Sequence, residues 1–313
     1  MDNRNRVPAM VEGALMSAIG VVMMLMGIYL PVFGLITMLI PLPFIILGVR
    51  RGLNHVMPSV IVASIISLML TSISSGLTVL LLGGASALSI SYMIRKKQSM
   101  SKTFLVGAIT TIFSVILYIS LLNMILGIDY FLLMDESLVE SGKIVKGFVG
   151  NSELSSSIQD NVENLRLAFK LLLPFVFTMM GSVVAFVNIQ ISRLVLKRTG
   201  YEISAAKPLS QLVLPDNILM GTTIILILTY FVGQLNIVNM DTLFLNIFNI
   251  FVMVFLVQGL AVVSFFLEKY VFNKAVKGFV LAFILFSGIS IFVALLGWLD
   301  ALFDFRKIRM KRV

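Results

Sequence analysis

The chain has 313 residues, of which 59% are hydrophobic and only 12% charged, and its mean hydropathy is +1.04. A soluble domain carries roughly 25% charged residues, so a water-soluble fold is excluded, and the lack of cysteine excludes disulfides and thiolate metal sites. The net charge of +9 does not point to nucleic acid, because the lysines and arginines flank apolar runs and no soluble basic domain carries them.

Nine apolar segments follow in chain order: 8–30, 32–49, 55–72, 76–94, 103–126, 166–196, 217–237, 242–267 and 278–303. They approach the ~20 residues needed to cross the hydrocarbon of a bilayer. Each is predicted to be helical, since an unpaired backbone amide in lipid costs several kcal/mol and a helix pairs its own. None shows the alternating polarity of a membrane strand. The first run is too long for a cleavable signal and further spans follow at once, so it is expected to be a retained span. It carries two rows of small residues, Ala14 with Ala18, and Ala9 with Gly13 and Ser17. Residues four apart share a helix face, and such rows let another helix come close, whether an internal neighbour or a separate subunit. Glu12 is expected near the headgroups, where it meets the positive end of the helix.

The second segment carries Pro41-Leu42-Pro43 near its middle. Each proline removes an amide donor and crowds a preceding carbonyl, which predicts a helix break. Broken helices in transporters hold solutes through exposed backbone groups; a kink that only improves packing is the other reading. His55, the single histidine, opens the third segment and is expected to be solvated at the interface. The connection 127–165 is too long for a turn. Leu154, Ile158, Val162, Leu165 and Phe169 recur there at helical spacing. They predict one amphipathic helical stripe that runs into the sixth span and lies on the outer surface, either as a lid over a cavity or resting on lipid. Asp216 after Pro215 reads as the N-cap of segment 217–237. Asn246 and Asn249 share a face near the outer end of their segment and, with Asn123, are the candidate polar lining. These, with Asn188, Gln190 and Gln258, serve either helix–helix hydrogen bonds or ligand contacts. Asp300, Asp304 and Arg306 predict an interfacial ion-pair cluster that anchors the tail. Segment 278–303 is too short for two spans, and is either one span or a hairpin bent around Gly288.

Basic residues fix an expected orientation. Arg4 and Arg6, Arg50 and Arg51, Arg95 to Lys97 with Lys102, Lys197 and Arg198 with Lys207, and Lys269, Lys274 and Lys277 all fall on one side. A cytoplasmic N-terminus places that side inside and the acidic 127–165 connection outside. The tail cations Arg306, Lys307, Arg309, Lys311 and Arg312 join the inner side only if the last segment turns back. No HExxH metal motif and no GxxxxGK[ST] phosphate loop is present, so neither enzyme activity nor a cofactor is expected. Energy for uphill transport would come from a partner.

Two sets of motifs carry a resemblance. Ile40-Pro41-Leu42-Pro43-Phe44, Gly48-Val49-Arg50-Arg51-Gly52, Gln258-Gly259-Leu260, Leu296-Gly297-Trp298-Leu299-Asp300 and Phe303-Asp304-Phe305-Arg306, in that order, resemble the YybS-like family of bacterial multi-pass membrane proteins. The first six segments also resemble the S components of energy-coupling-factor transporters, which bind vitamins or metal ions near the outer face. That resemblance implies a transmembrane coupling subunit and ATPases as partners, with Ala14 and Ala18 in the AxxxA row that meets the coupling subunit. The ligand is left unnamed. Three extra segments and the long outer connection depart from the S-component pattern. The expectation is an all-α polytopic membrane bundle of about eight or nine spans in a bacterial inner membrane. Its expected parts are an S-component-like domain over 1–196, a cytoplasmic linker over 197–216, and C-terminal helices with a basic tail over 217–313.

Overall fold

A computed structural model of the protein describes residues 6–149, 153–201, 208–235, 239–270 and 273–308. Arg4, Lys207, Arg309, Lys311 and Arg312 lie outside them, as do the side chains of Arg6, Leu154 and Ile158. The described elements are α1 (Arg6–Tyr29), a 3-10 helix (Pro31–Leu39), α2 (Pro41–Arg51), α3 (Leu53–Leu70), α4 (Ile73–Leu77), a π-helical stretch (Thr78–Ala85) and α5 (Ser86–Arg95). There follow α6 (Met100–Leu126), α7 (Tyr130–Val149), α8 (Glu153–Arg198), α9 (Ile218–Gln234), α10 (Met240–Tyr270), α11 (Lys274–Phe286) and α12 (Ser290–Phe303). Among the described residues seven helical stretches are long and apolar enough to cross a membrane, and the bent pair α11–α12 makes an eighth if counted as one span. The protein is therefore an all-α polytopic membrane protein. Two compact units divide it, Met1–Arg166 with Val176–Ser204, and Leu167–Phe175 with Ala205–Val313.

In the first unit α2 is the innermost element: eight of its residues are buried, Phe44, Ile45 and Leu47 completely. It is short because Pro41 and Pro43 have no N–H to give the carbonyls of Thr37 and Leu39, so an α-helical ladder cannot run through them. The chain before Pro41 winds as a 3-10 helix, with Ile40 N donating to Thr37 O at 3.2 Å. Pro41 itself stands at the first position of α2, where no donor is needed. Gly52, with φ of +105°, ends the helix, and Arg95 donates to the Val49 carbonyl at 2.9 Å. α1, α3 and α5 pack around this core. The fourth span joins α4, the π stretch and α5 end to end.

The 127–165 connection holds a helix that was not expected in its first half, α7, and in its second half the apolar stripe runs into the sixth span, as expected, within the single helix α8. The apolar stripe simply continues into the span, with no glycine or capping signal to stop it. At 46 residues α8 is about 69 Å long, over twice the ~30 Å hydrocarbon thickness, so its first part extends beyond the bilayer. α7 runs antiparallel along it: Asp135 pairs with Arg166, Gly142 faces Val162, and Phe131 meets Phe177. The result is a helical hairpin.

The second unit is built on α10 and α12, which cross at glycines. A Cβ on Gly259 would collide with the Val293 carbonyl, and one on Gly297 with the Phe255 carbonyl and the Gly259 amide. Only glycine permits this backbone contact. α11 and α12 meet at 105° across Ser287–Ile289. α9 has 17 residues and starts after Asn217, so the N-cap position is one residue beyond Asp216.

Candidate functional site

The two small-residue rows of α1 have different fates. Gly13 and Ser17 face α3: the Ser17 hydroxyl donates to the Ser59 carbonyl at 2.8 Å, and a Cβ on Gly13 would lie 2.7 Å from Ser59 Oγ. Ala14 and Ala18, about 100° round the helix from that row, are exposed, as are Leu15 and Val22. The internal neighbour thus takes one row and leaves the other at the surface of the unit. Glu12 is mostly buried and joins α1 to the end of α2, pairing with Arg50 Nε at 3.0 Å and Arg51 Nε at 2.5 Å. His55 is half-buried, and its carbonyl accepts from Ser59 Oγ at 2.9 Å.

The break at Pro41 and Pro43 gathers three irregular features. The Met38 carbonyl, at the end of the 3-10 helix, accepts from Asn188 Nδ2 at 2.7 Å. The π stretch presses on the same point, where a Cβ on Gly83 would be 3.0 Å from Ile40 Cγ2. Asn188 is fully buried on α8, as is Ser192 one turn later. Their position was legible only as in-span polarity; the i, i+4 pairing of Asn188 with Ser192 was the unused signal.

Of the candidate polar lining, Asn123 belongs to the first unit and Asn246 and Asn249 to the second. Asn123 is exposed near the end of α6. Asn249 bonds to the Leu245 carbonyl of its own helix at 2.8 Å. Asn246 does something else. Its Oδ1 accepts from Phe175 N at 2.7 Å and its Nδ2 donates to Leu171 O at 2.6 Å. In an unbroken helix those two backbone groups would bond to each other. The carboxamide is therefore inserted into the ladder of α8 beside Pro174, locking α10 onto residues 167–175.

A third cluster sits in the second unit. Arg306 and Asp300 form an ion pair at 2.9 Å with side chains 0% and 1% exposed. The expected ion pair thus forms, and it is buried within the second unit. Arg306 also donates to the carbonyls of Ser210 and Leu212, both at 2.8 Å. Gln258 donates to Asp300 at 2.6 Å and accepts from Leu214 N at 3.1 Å. Asp304, with φ of +45°, turns the chain back so that Arg306 can reach Asp300. Residues 208–214 are largely irregular, and backbone groups buried without helical partners need such donors and acceptors. The cluster is a clamp on that segment. Among the described residues, no three His, Asp or Glu side chains come together as a metal site requires.

The C-terminal motifs thus meet physically: Gln258, Gly259, Gly297, Asp300, Asp304 and Arg306 build one clamp, while Pro41, Pro43, Arg50 and Arg51 bound the buried α2. The chain is 25% identical over 314 residues to "Uncharacterized protein YybS" of Bacillus subtilis (strain 168), covering 95% of this chain and 97% of the relative. No solved structure matches. The profile described as "Predicted membrane protein (DUF2232)" matches residues 18–301, nearly the whole chain, and the protein belongs to that family.

Proposed function

We propose that the protein is the solute-binding membrane component of a transporter powered by separate coupling and ATPase subunits, with its N-terminus in the cytoplasm. The observation that carries this reading is the Ala14–Ala18 row, which α1 turns outward while Gly13 and Ser17 are used internally. A row of small residues allows close approach by a partner helix. The chain has no phosphate-binding loop, so hydrolysis falls to another subunit. Affinity purification from the native membrane is expected to recover a transmembrane partner and ATPases. The pair Ala14→Trp and Ala18→Trp should abolish that recovery without lowering the chain's own thermal stability. Recovery of neither subunit, or recovery unaffected by the tryptophans, removes the reading.

A second reading, a non-transporting scaffold for envelope machinery, is favoured by the α7–α8 hairpin, which extends past the bilayer. A photo-crosslinker at exposed Glu140 should then trap envelope-assembly proteins, and a transporter component should trap none.

A further inference from the structure

We propose that Asn188 and Ser192, with the break in the second span, form a binding site for a neutral hydrogen-bond donor, a hydroxyl or amide N–H of a solute. The inference rests on the solute-binding reading and names the chemistry that such a solute must carry.

Both N–H groups of Asn188 are committed, one to the Met38 carbonyl at 2.7 Å and one to the Val184 carbonyl at 2.8 Å. Its Oδ1 and the Ser192 hydroxyl are buried and have no partner among the described residues. Both residues are 0% exposed and one turn apart, so they share a face of α8. A buried polar atom without a partner is costly, and donating both N–H groups strengthens the remaining oxygen as an acceptor. The amide therefore asks for a donor.

Charge decides which donor. An anion finds no free N–H on Asn188, and the one donor the site does offer, the neutral Ser192 hydroxyl, brings no charge to balance it. A cation finds no counter-charge, because the only carboxylate in residues 6–126 is Glu12, already held by Arg50 and Arg51. The interior polar groups of α5 and α6 are hydroxyls, among them Ser86 and Thr111, which bond each other at 2.9 Å. An unpaired charge in such surroundings is strongly disfavoured. A neutral donor remains.

The way in is the 3-10 helix. α2 is buried, whereas Val32 and Leu35 are 90% and 73% exposed and, among the described residues, nothing lies within 4 Å of a Cβ on Gly34. Runs of 3-10 helix beyond three or four residues are uncommon. Rewinding these nine residues to α-helix would shorten them by about 4 to 5 Å. Rewinding the exposed start of this segment while Met38 stays bonded to Asn188 would open a path to the Asn188 Oδ1 and keep both N–H groups committed.

The full chain in nanodiscs, followed by thermal unfolding, tests this with three probe sets. The neutral set is myo-inositol, uridine and nicotinamide; the cations are choline and spermidine; the anions are phosphate and citrate. At least one neutral probe is expected to raise the unfolding midpoint. Ser192→Ala, which removes a hydroxyl the fold does not use, should leave the unliganded midpoint unchanged and weaken that probe at least five-fold. Asn188→Leu should abolish the response. A response to charged probes alone, a neutral response indifferent to Ser192→Ala, or no response in any set overturns the site. The transporter reading stands or falls separately, on recovery of the ATPase subunits.

Discussion

Arg306 shows how much a single side chain can organise. Four of its contacts go to one carboxylate oxygen and two backbone carbonyls, all inside the second unit. Taking one partner from a buried ion pair leaves the other charge unpaired, at a cost of about 3–5 kcal/mol, whereas replacing both with apolar residues is often tolerated. Arg306→Leu should therefore unfold the C-terminal unit at markedly lower temperature, and adding Asp300→Leu should restore part of the loss in the same melting experiment. An additive double mutant would show that the pair does not act as a unit. The nearness of Asp300 and Arg306 was legible in the sequence, because they are six residues apart. The part played by Gln258 was not. It depends on the register of α10 against α12, which Gly259 and Gln258 alone do not encode.

At the scale of elements, the proline break is the clearest case of a local rule deciding structure. Two missing amide donors end the α-helical ladder whatever surrounds them, so Pro41-Leu42-Pro43 could be read directly. The π stretch could not, since Thr78–Ala85 is a plain apolar run whose winding is set by packing on Ile40, Phe44 and Val60. α7 was missed for a related reason: acidic and basic residues interrupt its apolar positions, and only pairing with α8 completes its face. Packing also sets local stability. Few buried contacts mean easy local opening, so hydrogen exchange should be fast at Val32 to Leu39 and slow at Ile45 to Val49. Equal protection of both halves would contradict the contrast between the exposed 3-10 helix and the buried α2. Crossing glycines give a further check on an element pair. Gly297→Leu must push α12 off α10, because the Phe255 carbonyl occupies the space a side chain would need. The expected result is a loss exceeding the 1–3 kcal/mol typical of overpacking, read from the unfolding midpoint.

For the whole chain, membrane sidedness links the sequence to the proposed role. The basic residues Arg50, Arg51, Arg95, Lys96, Lys197 and Arg198 stand at helix ends, consistent with one cytoplasmic face under the positive-inside rule. The last apolar segment was the one place where that rule conflicted with a count of spans. Its 105° bend at Ser287–Ile289 gives the chain a way to resolve the conflict, since a broken pair need not carry the tail across the bilayer. The protein contains no cysteine, so single cysteines report sidedness without a background. Glu140→Cys on the hairpin should react with a membrane-impermeant maleimide in intact cells. Lys97→Cys and Lys307→Cys should react only after permeabilisation. Labelling of Lys307→Cys in intact cells would mean that α11 and α12 together cross the membrane. The Arg306 clamp, which bonds the tail to Ser210 and Leu212, would then have to release or the linker over 197–216 would have to lie outside, so this labelling also tests the side expected for that linker.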